Sequence, residues 1–562
     1  MATMCETFYE KVRTVQEKIN NPKYGEQEES CMKKFMALIL CLVCALPIVG
    51  CAPKIKDTES NIIVEMYEGG YGTAGMQAVA DRFEEIYEEE GLTVTIQSSA
   101  QLVMNGAYQQ LQLGKDSPTD LFFVASVDVP YIIGEGENFV KNTDNEYALE
   151  DLTDLYGQKV YGEDITFGKK MNPSNNAFNL QENGRYYSMN WAYGVTGFAY
   201  RRENFGEGKW QLPRTTNELK GLIPQIKANG QYPFIFCGSK ASYFDYPALT
   251  WWRQMATDEE AVNFWNCQVE DEEGNLIESP EAFRSYSRLV AYNNVDMCIY
   301  DTTNSHPDSM TVNNEQAQTI LFDDDNKVVF MPAGDWTENE MKKLGITGDI
   351  GLMRTPVSSE VLKYATGTVP NVQLHDRFKT IKDEETLRNV ISVIDAGDSC
   401  PEGIDADDFK LLTKIRSYST SEGLSHIGYI PSHANAKEAA KKFLLFLASD
   451  EAIQIYYDTT GCFLPFDSSN LQIAEDATAF QYDLLNMMEN VNFVSRFDSK
   501  NPIFYMTDLE FNMNEYFMDG KIGTTATGDK VTGTKYFEMN ADDVEENFPL
   551  YQGIVSAAGK KS

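Results

Sequence analysis

The sequence predicts an α/β protein. Strand-like and helix-like segments alternate between residues 62 and 124, as they do in sheets that are flanked by helices. Aromatic residues make up 12% of the chain, which is enough for a large core and for a ring-lined cleft. After residue 51 the chain has no apolar run of the ~20 residues that a membrane-spanning helix needs.

The first elements follow from the spacing of apolar residues. Residues 62–67 predict a strand, and Met76, Val79 and Phe83 recur at helical spacing in the segment that follows. The next predicted elements are a strand at 92–97, a helix at 102–113 and a strand at 120–124. This order predicts a parallel sheet with helices on its faces.

Later elements have recognisable ends. A capping box at residues 215–218 predicts a helix as far as Ile226. Residues 327–336, KVVFMPAGDW, predict a strand that ends in an acid and a tryptophan. Residues 436–447 predict an amphipathic helix, and a serine and a glycine at the two ends of 449–461 predict the next one.

Composition excludes several classes of protein. The formal net charge is −38 and the pI is about 4.5, so phosphates would be repelled and no nucleic-acid partner is expected. The histidines are scattered without an HExxH pattern, so we expect neither a metal site nor a cofactor. The cysteines after residue 51 are interpreted as free thiols, with one disulfide as the alternative: Cys237, Cys267, Cys298, Cys400 and Cys462.

Residues 32–51 have the pattern of an export signal. Lys33 and Lys34 precede a short apolar run that ends in Val49-Gly50-Cys51. This end resembles the lipobox of bacterial lipoproteins, in which the signal peptide is cut before the cysteine and the thiol is acylated. The resemblance implies a signal peptide at 32–50, a lipid such as palmitate on Cys51, and a mature chain on the extracytoplasmic face of the cell membrane. A membrane anchor helix is the alternative.

Residues 1–31 do not fit the short basic start of a signal peptide, because they hold six acids and four bases. We interpret Met32 as the start and 1–31 as a translation-start artefact, with a short cytoplasmic extension as the alternative.

Residues 70–75 match the GxGxxG pattern of dinucleotide-binding proteins, between a strand and a helix. The next strand ends in Gln97-Ser98-Ser99, without the acid that binds a ribose, and an exported protein meets little NAD. We therefore favour another role for these glycines, which is to let a ligand approach the backbone at the strand ends.

Several segments occur in an order that resembles a known family. They are SPTDLFFVAS (117–126), YYSMNWAYGVTGFAYRRENF (186–205), LPRTTNEL (212–219), NGQYPFIF (229–236), KVVFMPAGDW (327–336), DIGLMRTPV (349–357) and SHANAKEAAKKFLLFLASDEAIQIYYDTTGCFLP (432–465). Together with the lipobox, they resemble the family 1 extracellular solute-binding proteins of bacterial ABC importers, the maltose-binding-protein-like group.

The resemblance implies a type II periplasmic-binding-protein-like fold, with two discontinuous α/β lobes and a ligand cleft between them. The implied crossings lie near 191–194, 354–358 and 464–467. The implied domains are a lipid anchor and tether at 51–61, a first lobe at 62–191 and 357–465, and a second lobe at 192–356 and 466–562. Residues 366–424 are polar and Asp-rich, and we interpret them as a surface insertion in the first lobe.

The family also implies where the ligand binds: at the loops after the first and third strands, at the first hinge, and at the end of strand 327–336. The corresponding residues are Tyr71, Gly72, Ser126, Asp128, Trp191, Tyr193, Asp335 and Trp336. Trp252, beside Trp251, is added because rings stack on sugar faces. Core packing is the alternative for each ring, helix capping is the alternative for Asp335, and Asp120 is interpreted as structural.

The predicted function is a monomeric receptor that captures a small solute, expected to be a mono- or oligosaccharide, by hinge closure. It would deliver the solute to an ABC permease and perform no chemistry on it, so no catalytic residue is expected. One alternative is a surface glycoside hydrolase, which needs two opposed carboxylates. A surface adhesion or scaffold protein is the other.

Overall fold

The computed structural model describes residues 57–99, 104–125, 148–181, 183–239, 243, 245–296, 303–322, 328–346, 348–366, 377–421, 423–488, 491–494, 501, 503–504 and 532–559. All of them belong to one compact unit, Asp57–Ser562. The lipidation site proposed at Cys51 lies outside the described residues.

The strands are β1 (Asn61–Tyr67), β2 (Thr93–Ser99), β3 (Leu121–Ala125), β4 (Met189–Asn190), β5 (Thr196–Arg201), β6 (Tyr232–Phe234), β7 (Gln268–Glu270), β8 (Leu276–Glu278), β9 (Val328–Gly334), β10 (Ile350–Met353), β11 (Tyr418–Thr420), β12 (His426–Tyr429) and β13 (Asn492–Val494).

The α-helices are α1 (Ala74–Ile86), α2 (Met104–Gln112), α3 (Thr153–Gly157), α4 (Phe167–Lys170), α5 (Pro173–Asn179), α6 (Thr216–Ala228), α7 (Asp245–Met255), α8 (Asp258–Trp265), α9 (Tyr286–Val295), α10 (Asn314–Phe322), α11 (Thr337–Lys343), α12 (Val361–Thr366), α13 (Glu384–Asp395), α14 (Ala406–Ser417), α15 (Lys437–Leu447), α16 (Asp450–Thr460), α17 (Ala479–Met488) and α18 (Gly533–Gly559). Within the described part of the chain, no helix is long and apolar enough to cross a membrane.

The first sheet has five strands in the order β2-β1-β3-β12-β4. β1 pairs in parallel with β2 and with β3, which confirms the arrangement predicted for residues 62–124. Helix α1 covers this sheet with Met76, Val79 and Phe83, which are completely buried because they lie on one helical face. β12 and β4 complete the sheet in antiparallel orientation, and β12 comes from a distant part of the sequence.

The second sheet has four strands in the order β10-β5-β9-β6. β5 is antiparallel to both β9 and β10, whereas β6 is parallel to β9. The predicted strand 327–336 is confirmed as β9, and all seven of its residues are buried. Its side chains supply two apolar cores, one that includes Phe330 and one that includes Met331. These are the two larger sheets among the described residues, each with its own helices, as predicted for a type II fold; β7 with β8 and β11 with β13 form two-stranded sheets.

The predicted helix ends are confirmed by their hydrogen bonds. The Thr215 hydroxyl accepts a bond from the Glu218 backbone N–H at 3.2 Å and begins α6. The Ser449 hydroxyl accepts a bond from the Ala452 N–H, also at 3.2 Å, and begins α16. Gly461 ends α16 with a φ of +71°, a backbone conformation that favours glycine.

The structure differs from the sequence-based expectation for residues 357–420. Helices α13 and α14 form one apolar core with Met255 of α7 and Val290 of α9, beside the second sheet. β11 then pairs with β13, and the next strand, β12, lies in the first sheet. Residues 366–424 were expected as an insertion in the first lobe, but the described helices of this segment cover apolar side chains of α7 and α9 beside the second sheet.

The C-terminal part of the chain also packs beside the second sheet. Phe480 and Leu484 of α17 share a core with Leu352 of β10. Phe537 and Val544 of α18 join the core that lies around α7 and α9. The lobe boundaries given above stay predictions.

Cys267 and Cys462 are buried free thiols, Cys400 is an exposed free thiol, and Cys237 is buried. Cys298 lies outside the described residues.

Candidate functional site

Three segments that belong to different sheets meet at one buried hydrogen-bonded carboxylate. Asp335 follows β9, and its side chain is 1% exposed. The hydroxyl of Tyr71, in the loop after β1, donates to one carboxylate oxygen at 2.7 Å. The backbone N–H of Gly194, in the connection from β4 to β5, donates to the other oxygen at 3.0 Å. The ends of strands from both sheets therefore converge on Asp335.

Burial raises the pKa of Asp335 to about 7, although the hydrogen bonds from Tyr71 and Gly194 favour the ionised form. Near neutral pH the carboxyl group therefore exists in both protonation states. The ionised form only accepts hydrogen bonds, whereas the protonated form can also donate one. Burial also raises the pKa of Tyr71 well above its ordinary value, so Tyr71 remains a neutral donor. The alternative that Asp335 caps the next helix is wrong, because Trp336 is the N-cap residue of α11.

Around this carboxylate lies an aromatic cluster, which we define as Tyr71, Trp191, Tyr246, Trp336 and His426. The rings of Tyr71 and Trp336 have centroids 6.2 Å apart, in an edge-to-face arrangement. Trp336 also meets Tyr246 of α7 at 6.0 Å, again edge to face. Edge-to-face packing is a favourable arrangement for pairs of aromatic rings. Trp336 is only 5% exposed, because rings from both sheets cover it.

Trp191 and His426 form the side of the cluster that lies against the first sheet. Their ring centroids are 5.0 Å apart, and His426 lies 5.4 Å from Tyr71. The Trp191 indole N–H donates to the Val124 carbonyl at 3.0 Å, which fixes the ring against the end of β3. Trp191 is completely buried.

Four further side chains reach this region although the sequence did not identify them: Tyr243, Tyr246, Asn339 and His426. His426 lies opposite Ala125 in the pairing of β12 with β3, so only the register of the sheet brings it to the cluster. Tyr243 stacks on Tyr246 at 5.0 Å and meets Trp336 at 5.9 Å. The aromatic stretch around Trp251 was the available signal for Tyr243 and Tyr246, but the rings chosen from it, Trp251 and Trp252, lie in the core of the second sheet.

Trp252 lies in the apolar core of the second sheet, whereas Tyr71, Trp191 and Trp336 belong to a different apolar core. Trp252 is completely buried and packs against Phe264 at 4.8 Å and Trp265 at 5.1 Å, so the core alternative holds for it. Its helix α7 turns that face toward the core of the second sheet. Trp251 belongs to the same core.

Tyr193 lies in another core, and its hydroxyl accepts a hydrogen bond from the Asn172 side-chain amide at 3.2 Å. Burial raises the pKa of Tyr193 to about 12, so this phenol is neutral at physiological pH.

The remaining candidates are Gly72, Ser126, Asp128 and Asp120. Gly72 follows Tyr71 with a φ of +66°, in a loop that lies against α11. Ser126 and Asp128 lie outside the described residues. Asp120 accepts backbone hydrogen bonds from Ile63 at 3.0 Å and from Ala436 at 2.8 Å, which confirms its structural role.

The cluster has the chemistry of a site for a polar molecule with weakly apolar faces. Aromatic rings can stack on such faces, and carboxyl and phenol groups can bond to hydroxyls, although in this structure the rings cover one another and Tyr71 bonds to Asp335. The described residues contain no group of three His, Cys, Asp or Glu side chains that could hold a metal ion.

Part of this chain is similar in sequence to known solute-binding proteins. Residues 69–275 match the family model described as bacterial extracellular solute-binding protein. The diacetylchitobiose binding protein NgcE of Streptomyces coelicolor is 24% identical over 203 residues, which cover 35% of this chain and 38% of that protein. The match thus spans well under half the length of this relative.

Solved structures share the fold over a larger part of the chain. A probable secreted solute-binding lipoprotein from Streptomyces coelicolor is 12% identical, with a TM-score of 0.54, and the match covers 87% of this chain and 99% of that one. RafE, a Streptococcus pneumoniae protein solved in complex with raffinose, is 13% identical, with a TM-score of 0.52 and the same coverage. Residues 69–275 are thus similar to the bacterial extracellular solute-binding proteins, and most of the chain shares the fold of solved solute-binding proteins.

Proposed function

We propose that this protein is a lipid-anchored receptor that captures a small carbohydrate by hinge closure and delivers it to the permease of an ABC importer. The observation that carries the proposal is the aromatic cluster around Asp335, where the ends of strands from both sheets converge. Solutes of open α/β proteins bind at such strand ends. A solute in a cleft between two sheets can contact both of them only when the cleft is closed. It therefore binds the closed state more tightly than the open state and increases the closed population.

The carbohydrate class is supported by the chemistry of the cluster and by the relatives. A pyranose offers weakly apolar faces to Trp336 and Trp191 and hydroxyl groups to Asp335 and Tyr71. One relative is named for binding diacetylchitobiose, and another was solved with raffinose. The net charge of −38 disfavours anionic solutes. The ligand-contacting residues would be Tyr71, Trp191, Asp335 and Trp336, with Ser126 and Asp128 from the loop after β3.

The receptor role, rather than hydrolysis, is supported by the family, which is one of binding proteins. We propose that the solute leaves unchanged and that no residue is catalytic. In this account the first lobe comprises 62–191 and about 421–465, and the second lobe comprises 192–420 and 466–562. The protein would act as a monomer whose closed shape the permease recognises.

Membrane attachment would come from a lipid on Cys51. The support is the sequence Val49-Gly50-Cys51 after a short apolar run, and the fold neighbour described as a probable secreted lipoprotein. A single acyl chain binds membranes only marginally, so firm anchoring needs more than one. The receptor would then work on the extracytoplasmic face of the cell membrane.

A thermal-shift screen of the protein from Ala52 to Ser562 tests the proposal. The panel contains mono- and oligosaccharides, including diacetylchitobiose and raffinose, with amino acids and polyamines as other solute classes. A solute at a hundredfold excess over its dissociation constant adds about 2.7 kcal/mol to the free energy of unfolding. We expect a carbohydrate to give this shift, with one molecule bound per chain in calorimetry. A shift from amino acids or polyamines alone would contradict the carbohydrate class. Chromatographic detection of cleaved sugar would support the hydrolase instead.

A further inference from the structure

The loop after β1 is held directly by the helix after β9, which belongs to the other sheet. The Asn339 side-chain amide donates to the Gly70 carbonyl at 2.7 Å and to the Tyr71 carbonyl at 2.8 Å. One helical turn later, the Lys343 ammonium group lies 3.5 Å from the Gly69 carbonyl and 3.4 Å from that of Gly70. Residues four apart share a helical face, so one face of α11 covers the backbone of the 69–72 loop.

Glycine allows this close approach. A Cβ atom on Gly70 would lie 2.7 Å from the Trp336 ring, and the ring is held by its other neighbours. A Cβ atom on Gly72 would lie 2.4 Å from the Lys343 ammonium nitrogen, and the φ of +66° at Gly72 also favours glycine. The loop is therefore shaped to fit against α11 and Trp336.

These contacts join the two sheets through protein atoms alone. The hydrogen bond between Tyr71 and Asp335 joins the two sheets at the same point. Three side chains of the segment 335–343 therefore hold the loop after β1, namely those of Asp335, Asn339 and Lys343. Hydrogen bonds from Asn339 and Lys343 go to backbone carbonyls, and a solute need not touch either residue.

We propose that Asn339 and Lys343 form a latch on the 69–72 loop that keeps the two sheets closed without a contribution from the solute. The proposal rests on the proposed function in one respect, because it assumes that the sheets move about a hinge. Apparent affinity equals the affinity of the closed form multiplied by its population. Asn339 and Lys343 are thus positioning residues that set affinity without setting selectivity.

Removing the latch should lower the closed population. Loss of the Asn339 bonds should weaken binding of every solute by the same factor, roughly threefold to thirtyfold. Asn339→Asp should act most strongly, since it keeps the side-chain size and places a carboxylate against two carbonyl oxygens. Gly70→Ala should open the protein by a different route, because its Cβ atom would lie 2.7 Å from the Trp336 ring and separation of the sheets would relieve this contact.

Small-angle X-ray scattering of the protein from Ala52 to Ser562, without added solute, tests the latch. We expect Asn339→Asp, Asn339→Ala and Gly70→Ala to increase the radius of gyration while the far-ultraviolet circular dichroism stays unchanged. The matched control is Lys342→Met on the same helix, because Lys342 pairs with Glu338 at 3.0 Å instead of with the loop. Lys343→Met should expand the protein, and Lys342→Met should not.

Hydrogen exchange of a peptide that covers the 69–72 loop provides the local readout. Faster exchange in Asn339→Ala with an unchanged radius would mean that Asn339 only orders the loop, and it would overturn the latch. Equal radii of gyration for the wild type and for all four variants that should open the protein would overturn it as well. If Asn339→Asp fails to fold, the radii of gyration of Asn339→Ala and Gly70→Ala test the latch instead. None of these measurements needs a bound solute, so failure to bind any carbohydrate would contradict the proposed function and leave the latch standing.

Discussion

Asp335→Asn should change how the stability of this protein depends on pH. Asparagine has nearly the size of aspartate and can still accept the hydrogen bond from Tyr71, but it does not titrate. The wild-type carboxyl is 1% exposed, and burial raises its pKa to about 7. In the unfolded chain the pKa is ~3.9. Only the wild type therefore gains a proton-linked contribution to the free energy of unfolding.

The sign and size of this contribution follow from linkage. Because the folded protein holds its proton more tightly than the unfolded chain does, ionisation of Asp335 destabilises the fold. The stability that the proton provides is complete below about pH 4 and is lost as the pH rises to about 7. A difference of about 3 pKa units corresponds to about 4 kcal/mol, at ~1.4 kcal/mol per unit.

The measurement is urea denaturation of the wild type and of Asp335→Asn at several pH values between 4 and 8. The free energy of unfolding of the variant minus that of the wild type should increase by up to about 4 kcal/mol between pH 4 and pH 7 and then level off. All other titrating groups are common to both proteins and cancel in the difference. Tyr71→Phe should move the wild-type transition to higher pH, since the bond from Tyr71 favours the ionised carboxylate. A difference that is constant across this range would refute the reasoning.

The other predictions concern two rings, an ion pair and the anchor. Trp336→Ala should weaken carbohydrate binding about tenfold to a hundredfold in calorimetry, because stacking and burial contribute on the order of 1–3 kcal/mol. Trp252→Ala should leave the affinity intact and lower the free energy of unfolding by about 3–5 kcal/mol. If instead Trp252→Ala weakens binding and Trp336→Ala does not, the site proposed here is misplaced. Lys170→Ala should cost about 3–5 kcal/mol in denaturation, since Lys170 is 2% exposed and pairs with Glu163 at 2.9 Å. Cys51→Ala should abolish lipid labelling and release the protein from membranes; labelling that persists would contradict the proposed anchor.

Local pattern was sufficient for much of the fold. The apolar spacing of Met76, Val79 and Phe83 predicted α1, and the caps at Thr215 and Ser449 predicted the starts of α6 and α16. These features depend on residues within one or two helical turns, so they are visible in the sequence. The parallel pairing of β1 with β2 and β3 followed from the alternation of elements.

Part of the aromatic cluster was also accessible from the sequence. Tyr71, Trp191, Asp335 and Trp336 were assigned through the resemblance to a known family, and the structure brings these four together. Assignment by chemistry alone was less successful. Trp252 and Trp336 are both tryptophans with little or no exposed surface. Only their neighbours show that Trp252 lies in the core of the second sheet and that Trp336 lies between the two sheets.

The sequence by itself therefore determined the α/β class, the main helices and strands, and the two strand ends at Tyr71 and Asp335. Tertiary structure alone decided that His426 lies beside Trp191, that Asn339 reaches the carbonyl of Gly70, and that residues 377–417 pack with the second sheet. The physical reason is that periodicity reveals which face of an element is buried, but not which distant element covers that face.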